Sequence, residues 1–341
     1  MRNSGRKRRK QKNLRTAAVI LILTAAAILA GGYYLWNQVR ETNRMNSGGE
    51  TRNTSGEPDE NTVEVDGTVY RYNDHLSNYL FMGIDTTDEV ANYESQRDAG
   101  QADAIFLVSM DRVTEELKVL VIPRDTMTEI EVFNPSGKSL GTTEDHINIQ
   151  YAYGDGKDKS CELMETAVSG LLGDIPIQGY CAMNMEGIPI ITDFVGGVEV
   201  TVPDSSLEEV NPDFTEGAVV TLTGDNAEQF VRYRDTEISQ SALTRQERQK
   251  VYLQALLQKA QERAELDSSF IVDFYNEIQP YTVTNLGNDI FAKLLTASGV
   301  GETETATVPG EGTEGENFDE YHVNQQELDS LLLKMFYQEQ S

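Results

Sequence analysis

Apolar residues fall into three patterns along this chain, and each predicts a different kind of element. Ala17–Trp36 (AAVILILTAAAILAGGYYLW) carries no charge, and none occurs between Arg15 and Arg40. That run meets the roughly 20 apolar residues needed to span hydrocarbon. Further on, short apolar runs bounded by polar turns lie at Tyr79–Ile84, Ala104–Met110 and Leu117–Ile122. They read as buried strands, and the polar DRVTEE between the last two makes those two an antiparallel hairpin. Gln178–Met183 and Val198–Val202 read as further strands. Helical spacing marks Ser160–Leu172, Asn226–Arg232, Ala242–Ala264, Ser268–Glu277, Asp289–Ala297 and Gln325–Tyr337. Asp88–Gln101 and the Glu- and Gly-rich stretch Gly310–Asp319 read as loops, the second exposed. Strands mixed with helices, at least one pair forming a hairpin, predict an α/β domain with a mixed sheet covered by helices.

The flanks of the long apolar run give it an orientation. Residues 1–16 hold eight Lys/Arg and no acid, which predicts a cytoplasmic tail. Tyr33, Tyr34 and Trp36 stand at the far end, where amphipathic aromatics favour the headgroup layer. Residues 17–36 are therefore read as a transmembrane helix rather than a cleaved signal peptide, for which Ala25, Ala27 and Ala30 would offer small residues. Residues 37–62 follow as a flexible linker: from Glu41 to Thr62 the one hydrophobic residue is Met45, too little to offset the entropy of ordering. Residues 63–341 are then a single extracellular domain in a cell-membrane protein that crosses once with its N-terminus inside.

Charge narrows the chemistry. The 341-residue chain has 28 Lys+Arg against 56 Asp+Glu, a formal charge of −28. Removing the eight basic residues of the tail leaves 20 basic against 56 acidic, so no basic face is available for nucleic acid. Two cysteines and three histidines exclude a disulfide scaffold, a zinc cluster and haem or iron–sulfur ligation. Cys161 and Cys181 sit on a predicted helix start and the following strand, close enough in reach to meet. A disulfide and two buried thiols both remain compatible with that placement.

Polar residues converge in two places. Folding the hairpin about Val113 sets Asp103 opposite Arg124, next to Asp125, and a parallel strand ending at Asp85 would join the same rim. Each of these residues could equally be a strand cap. The second cluster is VRYR (Val231–Arg234) with LTRQERQ (Leu243–Gln249). Arg245, Arg248 and Gln249 share a helical face. Arg232 and Arg234 precede them, although Glu228–Arg232 is also an ordinary i, i+4 surface pair. Carboxylates suit a hard cation such as Mg²⁺, and arginine forks suit pyrophosphate oxygens, so together the clusters point to phosphoryl transfer.

FMGID (Phe81–Asp85), ADAIFLVSMD (Ala102–Asp111), LKVLVIPRDT (Leu117–Thr126), HINIQYAYG (His146–Gly154), FVGGVEV (Phe194–Val200), LTGDNAEQFVRYR (Leu222–Arg234) and TRQERQ (Thr244–Gln249) occur in that order. This series resembles the LytR–CpsA–Psr family of cell-wall glycopolymer phosphotransferases over about residues 77–260. The resemblance implies a membrane-anchored enzyme that moves a glycopolymer (teichoic acid, capsule or similar) from a polyprenyl-pyrophosphate carrier to peptidoglycan through a phosphodiester. It implies Asp85 and Asp103 as ligands of Mg²⁺, with Mn²⁺ as an alternative. Arg124, Arg232, Arg234, Arg245, Arg248 and Gln249 would engage the pyrophosphate. Arg124 and Asp125 would be catalytic, the aspartate orienting the arginine or assisting deprotonation of the acceptor hydroxyl. The lipid would lie in an apolar tunnel between sheet and helices. Gln101 stands where the family often has arginine, His146 replaces the lysine of the KIN element, and the segment between the two metal aspartates is lengthened. These departures bear on donor specificity. Two rivals share the features: hydrolysis of the same lipid-linked sugar, and a non-enzymatic envelope protein that binds lipid-linked glycan. His146 and Asn148 read mainly as structural neighbours of the site, and Gly196–Gly197 as a tight turn.

Overall fold

A continuous apolar run can remain in a sheet only where both faces are covered, and the strands predicted from such runs form the centre of this molecule. The computed structural model describes residues 62–340, apart from 88, 91–98, 135, 236–237, 268, 298–302 and 317. The predicted tail, membrane span and nearly all of the linker lie outside the described residues, as does most of the Asp88–Gln101 loop. Among the described residues no helix is long and apolar enough to cross a membrane.

The strands are Thr62–Val65 (β1), Thr68–Tyr72 (β2), Leu76–Ile84 (β3), Ala102–Asp111 (β4), Leu117–Ile122 (β5), Met127–Phe133 (β6), Ser139–His146 (β7), Gly179–Asn184 (β8), Val198–Thr201 (β9), Val219–Leu222 (β10), Thr282–Thr284 (β11), Glu304–Thr307 (β12), Gly310–Glu314 (β13), Asp319–Val323 (β14) and Tyr337–Glu339 (β15). The helices are Asp158–Leu171 (α1), Gly187–Phe194 (α2), Gly224–Arg232 (α3), Ser241–Leu266 (α4), Phe270–Ile278 (α5), Asn288–Ala297 (α6) and Gln325–Phe336 (α7), with a 3₁₀ helix at Ile147–Tyr153. The predicted helices lie where the spacing put them, with ends shifted by one or two residues.

The main sheet runs β11-β8-β3-β4-β5-β12 and is mixed. β3 pairs antiparallel to β4 and β4 antiparallel to β5, while β3–β8 and β5–β12 are parallel. The C-terminal ends of β3, β5, β8 and β12 therefore share one edge, where open sheets carry their ligand crevices. Alternation sorts the side chains into two layers. Leu80, Met82, Ile105, Leu107, Leu120 and Ile122 face α1 and α7. Tyr79, Phe106, Val108, Val119 and Val121 face the other way, toward Phe291 and Leu294 of α6. A third apolar cluster ties α2, β9, α3 and α4 together through Val195, Val198, Phe230, Tyr252 and Leu256. Cys161 and Cys181 are both buried and unbridged.

Two regions correct the sequence reading. Gly310–Asp319 is not one exposed loop: Gly310–Glu314 is a strand paired with β14, which begins at Asp319. Its glycines serve packing rather than freedom. A Cβ at Gly310 would stand 2.4 Å from the His322 carbonyl oxygen, and one at Gly312 would clash with Gln240. The β6–β7 hairpin was not predicted, because Ile130 is its one fully buried residue and leaves no apolar alternation to read.

Candidate active site

The hairpin β4–β5 sets the site. Ile105 faces Ile122, and continuing that register two residues beyond this last pair puts Asp103 opposite Arg124, as the sequence implied. An Arg124 Nη1–H donates to Asp103 Oδ1 in a close ion pair, and Nε–H donates to Asp125 Oδ1 at 2.9 Å. Arg245, arriving from α4, donates from Nη1 to Asp103 Oδ2 at 2.8 Å. One buried carboxylate thus joins two arginines from distant parts of the chain. Burial opposes the charge on Arg124, but Asp103 and Asp125 outweigh it and hold its pKa above the ordinary value. Arg245 moves the other way: burial lowers its pKa, Asp103 opposes, and the like charges of Arg124 and Arg234 lower it further. Its Nε and Nη2 are buried without an acceptor among the described residues.

Asp85 ends β3 on the same edge. Its Oδ1 accepts from the Gln101 N–H at 2.5 Å. Although the residue is exposed, partial desolvation of the carboxylate raises its pKa, the Gln101 hydrogen bond opposes, and the charge of Asp103 raises it further. Gly100 makes room for this corner: φ is +71°, and a Cβ there would lie 2.5 Å from Thr86 and 2.7 Å from Asp85 Oδ1. Asp85 and Asp103 are close enough to feel one another and offer only oxygen. That donor set fits a hard cation such as Mg²⁺, which takes one or two carboxylates and completes its shell with substrate phosphate and water. Among the described residues, no group of three or more His, Cys, Asp or Glu is placed to hold a metal by itself.

A crevice of about 580 Å³ opens over this edge, lined on one side by Gln101, Arg124, Asp125, His146, Asn148 and Arg234. Asn148 donates to Gln101 Oε1 at 3.1 Å, so these two lining residues hold one another. The tip of the β13–β14 hairpin also lines it, through Glu314, Glu316, Phe318 and Asp319, with Ser239 beside it. Sequence reading passed over this wall, since its composition signals only a solvated loop. A lone Phe318 in a polar run was the available clue.

The other arginines divide. Arg232 forms the i, i+4 pair with Glu228 at 2.6 Å and is not part of the crevice lining. Arg248 is buried and committed to the protein: Nε donates to the Phe230 carbonyl at 2.9 Å, Nη1 to Ser206 Oγ at 2.5 Å and Asp204 at 3.1 Å, and Nη2 to the Tyr233 carbonyl. It holds the C-terminus of α3 through the Phe230 and Tyr233 carbonyls, and the structure commits its guanidinium to protein partners rather than to the crevice lining. Gln249 donates to the Val231 carbonyl at 3.2 Å and lines a second, apolar cavity of about 200 Å³. Phe81, Gly83, Phe106, Leu253, Leu256 and Leu294 are among its walls. His146 has two partners that fix its ring: Nδ1 lies 3.0 Å from Asp145 Oδ1 and Nε2 2.9 Å from the Asp319 carbonyl.

The strand ends thus carry an arginine–carboxylate crevice, and α4 carries Arg245 to Asp103 and Gln249 to the wall of an apolar cavity. The chain matches the LytR_cpsA_psr family across residues 39–336 and belongs to it. A relative from Bacillus mycoides (strain KBAB4), polyisoprenyl-teichoic acid–peptidoglycan teichoic acid transferase TagU, is 36% identical over 196 residues, covering 58% of each chain. The chain thus spans less than two thirds of the length of the curated relatives it matches. Among solved structures, a Streptococcus agalactiae protein superposes with a TM-score of 0.61 at 21% identity, over 76% of this chain and 86% of that one. TagT bound to LI-WTA superposes with a TM-score of 0.58 at 22% identity, over 76% and 89%. These likenesses establish the mixed α/β fold.

Proposed function

We propose that this protein is a membrane-anchored phosphotransferase that moves a glycopolymer from a polyprenyl-pyrophosphate carrier onto peptidoglycan. The observation that carries the reading is the pairing along α4 of Arg245, with two buried donors and no acceptor, and Gln249 one turn on in the wall of the apolar cavity. A pyrophosphate would satisfy the first and a polyprenyl chain would fill the second. The relatives named as teichoic acid transferases make teichoic acid the first polymer to test. The basic tail and the apolar run at residues 17–36 would anchor the chain with residues 63–341 outside the cell.

In this reading Arg124, Arg234 and Arg245 clamp the pyrophosphate, a role that needs positioning and neutralisation of charge rather than covalent chemistry. Asp85 and Asp103 would hold Mg²⁺, which would neutralise pyrophosphate oxygens when bound. Asp125, itself held by Arg124, takes the proton of the acceptor hydroxyl. That oxygen bonds to the phosphorus bearing the glycopolymer, the bond from this phosphorus to the bridging oxygen breaks, and polyprenyl monophosphate leaves. Incubating the full chain in detergent with Mg²⁺, a short polyprenyl-pyrophosphate sugar and a peptidoglycan oligosaccharide tests this by mass. A glycan–phosphate–glycan adduct, lost in Arg124→Ala and Asp125→Asn, is expected. Lipid release without any adduct means hydrolysis, and lipid binding without turnover means a binding protein; either refutes the proposal.

A further inference from the structure

Phe318 is 75% exposed, yet it stands in the wall of a crevice rather than on open surface. The residue that follows it, Asp319, is held on three sides. The Asp319 carbonyl accepts from His146, and the Asp319 carboxylate accepts from Ser239 Oγ at 3.0 Å and from the Gln240 N–H at 2.7 Å. Gln240 Nε2 reaches back to the Thr313 carbonyl at 2.9 Å, and Tyr321 N–H to the Asp125 carbonyl at 2.8 Å. The His146 ring meets Phe318 edge-on, at 6.3 Å between centroids and 89° between planes. The hairpin tip is thus tied on one side to the strand-end residues of the site and on the other to the start of α4. An aromatic ring costs solvation when exposed, and here 75% of the residue lies exposed in a crevice wall.

Charge says which ligand. The crevice that Arg124 and Arg234 line also carries Glu314 and Glu316, on the hairpin wall with Phe318. Carboxylates accept hydrogen bonds from hydroxyls and repel phosphates, so this wall disfavours a polyanionic donor polymer and suits an uncharged, hydroxyl-rich one. A pyranose ring offers both a C–H face for the aromatic and hydroxyls for the acids. We infer that Phe318, with Glu314 and Glu316, forms the subsite that seats a sugar ring of the acceptor glycan in the crevice that the arginines also line. The inference rests on the transferase reading and adds to it the location of the acceptor.

The experiment uses the full chain in detergent micelles, a polyprenyl-pyrophosphate disaccharide as donor and a peptide-free peptidoglycan tetrasaccharide as acceptor. Phe318→Ala is expected to raise the acceptor KM about tenfold, the order of one lost ring contact. Phe318→Tyr is expected to restore it to within about threefold, and donor Kd by calorimetry to stay within about twofold. An acceptor KM within twofold of wild type in Phe318→Ala overturns the inference, and a parallel fall in donor affinity reassigns the ring to the donor sugar. Binding is read independently of turnover in Trp36→Phe/Phe318→Trp, which moves the single tryptophan of the chain into the wall. Saturable quenching by the tetrasaccharide without donor is expected. If quenching occurs but no variant transfers, the subsite stands and the transferase reading falls. If transfer proceeds without quenching or a KM change, the subsite falls and the reaction stands.

Discussion

Arg245→Met should separate stability from ligand binding. Side chains at both ends of the Arg245–Asp103 pair are nearly sealed, 6% and 7% exposed. Removing one partner of such a pair ordinarily costs about 3–5 kcal/mol, because the other charge is left buried alone. Here Asp103 keeps Arg124, so no uncompensated anion remains. The arginine also carries a standing cost, since a buried donor without an acceptor is worth about 1–3 kcal/mol of destabilisation and Arg245 has two such nitrogens. Relief of that cost offsets much of the lost ion pair, so unfolding in urea should shift by no more than about 1 kcal/mol. Asp103→Asn removes the anion from both arginines at once and should lose about 3–5 kcal/mol. Binding should show the reverse emphasis. Two charge-assisted hydrogen bonds at roughly 1.5 kcal/mol each amount to about 3 kcal/mol, or about a hundredfold in Kd for a polyprenyl pyrophosphate. Calorimetry on the same preparations supplies the second number. An Arg245→Met protein that loses 3 kcal/mol or more while binding the lipid within threefold of wild type would refute the reasoning.

Other perturbations test the remaining assignments. In thermal melts, Mg²⁺ with a polyprenyl pyrophosphate should raise Tm, chelation should abolish the gain, and Asp85→Asn should remove it; a gain that persists in Asp85→Asn would take the cation away from this residue. Arg248→Met should cost about 3–5 kcal/mol, because its carbonyl and carboxylate partners are left without their donor, whereas Arg232→Ala should stay within about 0.5 kcal/mol and leave lipid Kd within twofold. For His146, burial lowers the pKa, but the Asp145 carboxylate, the Asp319 carbonyl and the charge of Asp125 raise it above the ordinary 6.5 overall. Because the folded pKa is the higher one, the stabilisation is complete below pH 6.5 and fades as pH rises through the folded value. Urea titrations from pH 6 to 9 should show a fall that His146→Gln lacks, and identical slopes in both proteins would exclude this clasp as the cause.

What could be read in advance follows from where burial leaves a mark on residue type. The β3, β4 and β5 strands are covered on both faces, so their apolar runs announced them, and an antiparallel register then fixed Asp103 against Arg124 by arithmetic alone. The β6–β7 and β13–β14 hairpins left no such mark, since they lie at the margin with mostly exposed or half-buried side chains. Spacing also misled where it should have helped most. Arg245, Arg248 and Gln249 do share a buried face of α4, but a shared face does not mean a shared target. Arg248 turns to the carbonyls that end α3, Arg245 to the sheet edge and Gln249 to the apolar cavity. Nothing local in TRQERQ distinguishes them, because the deciding acceptors are Asp103, Asp204 and the backbone of Phe230 and Tyr233.

The geometry of α4 explains why a head-and-tail ligand can be measured by one rigid element. At 1.5 Å per residue, Gln249 stands about 6 Å beyond Arg245 along the axis and Ala260 about 22 Å beyond. Anionic and apolar subsites are therefore spaced by a helix rather than by loops. The start of that helix is fixed by Gln240, whose φ of +61° is the left-handed region that a non-glycine residue enters at a cost. Gln240 is held there by its N–H on Asp319 and its side-chain amide on Thr313, both in the hairpin that carries Phe318. The first turn of α4 and the acceptor wall are thus one mechanical unit. A substitution that frees Gln240 should loosen the arginine side and the aromatic side of the crevice together, raising donor Kd and acceptor KM in the same variant. Phe318→Ala touches only the acceptor side, so the two variants together distinguish a lost contact from a lost frame.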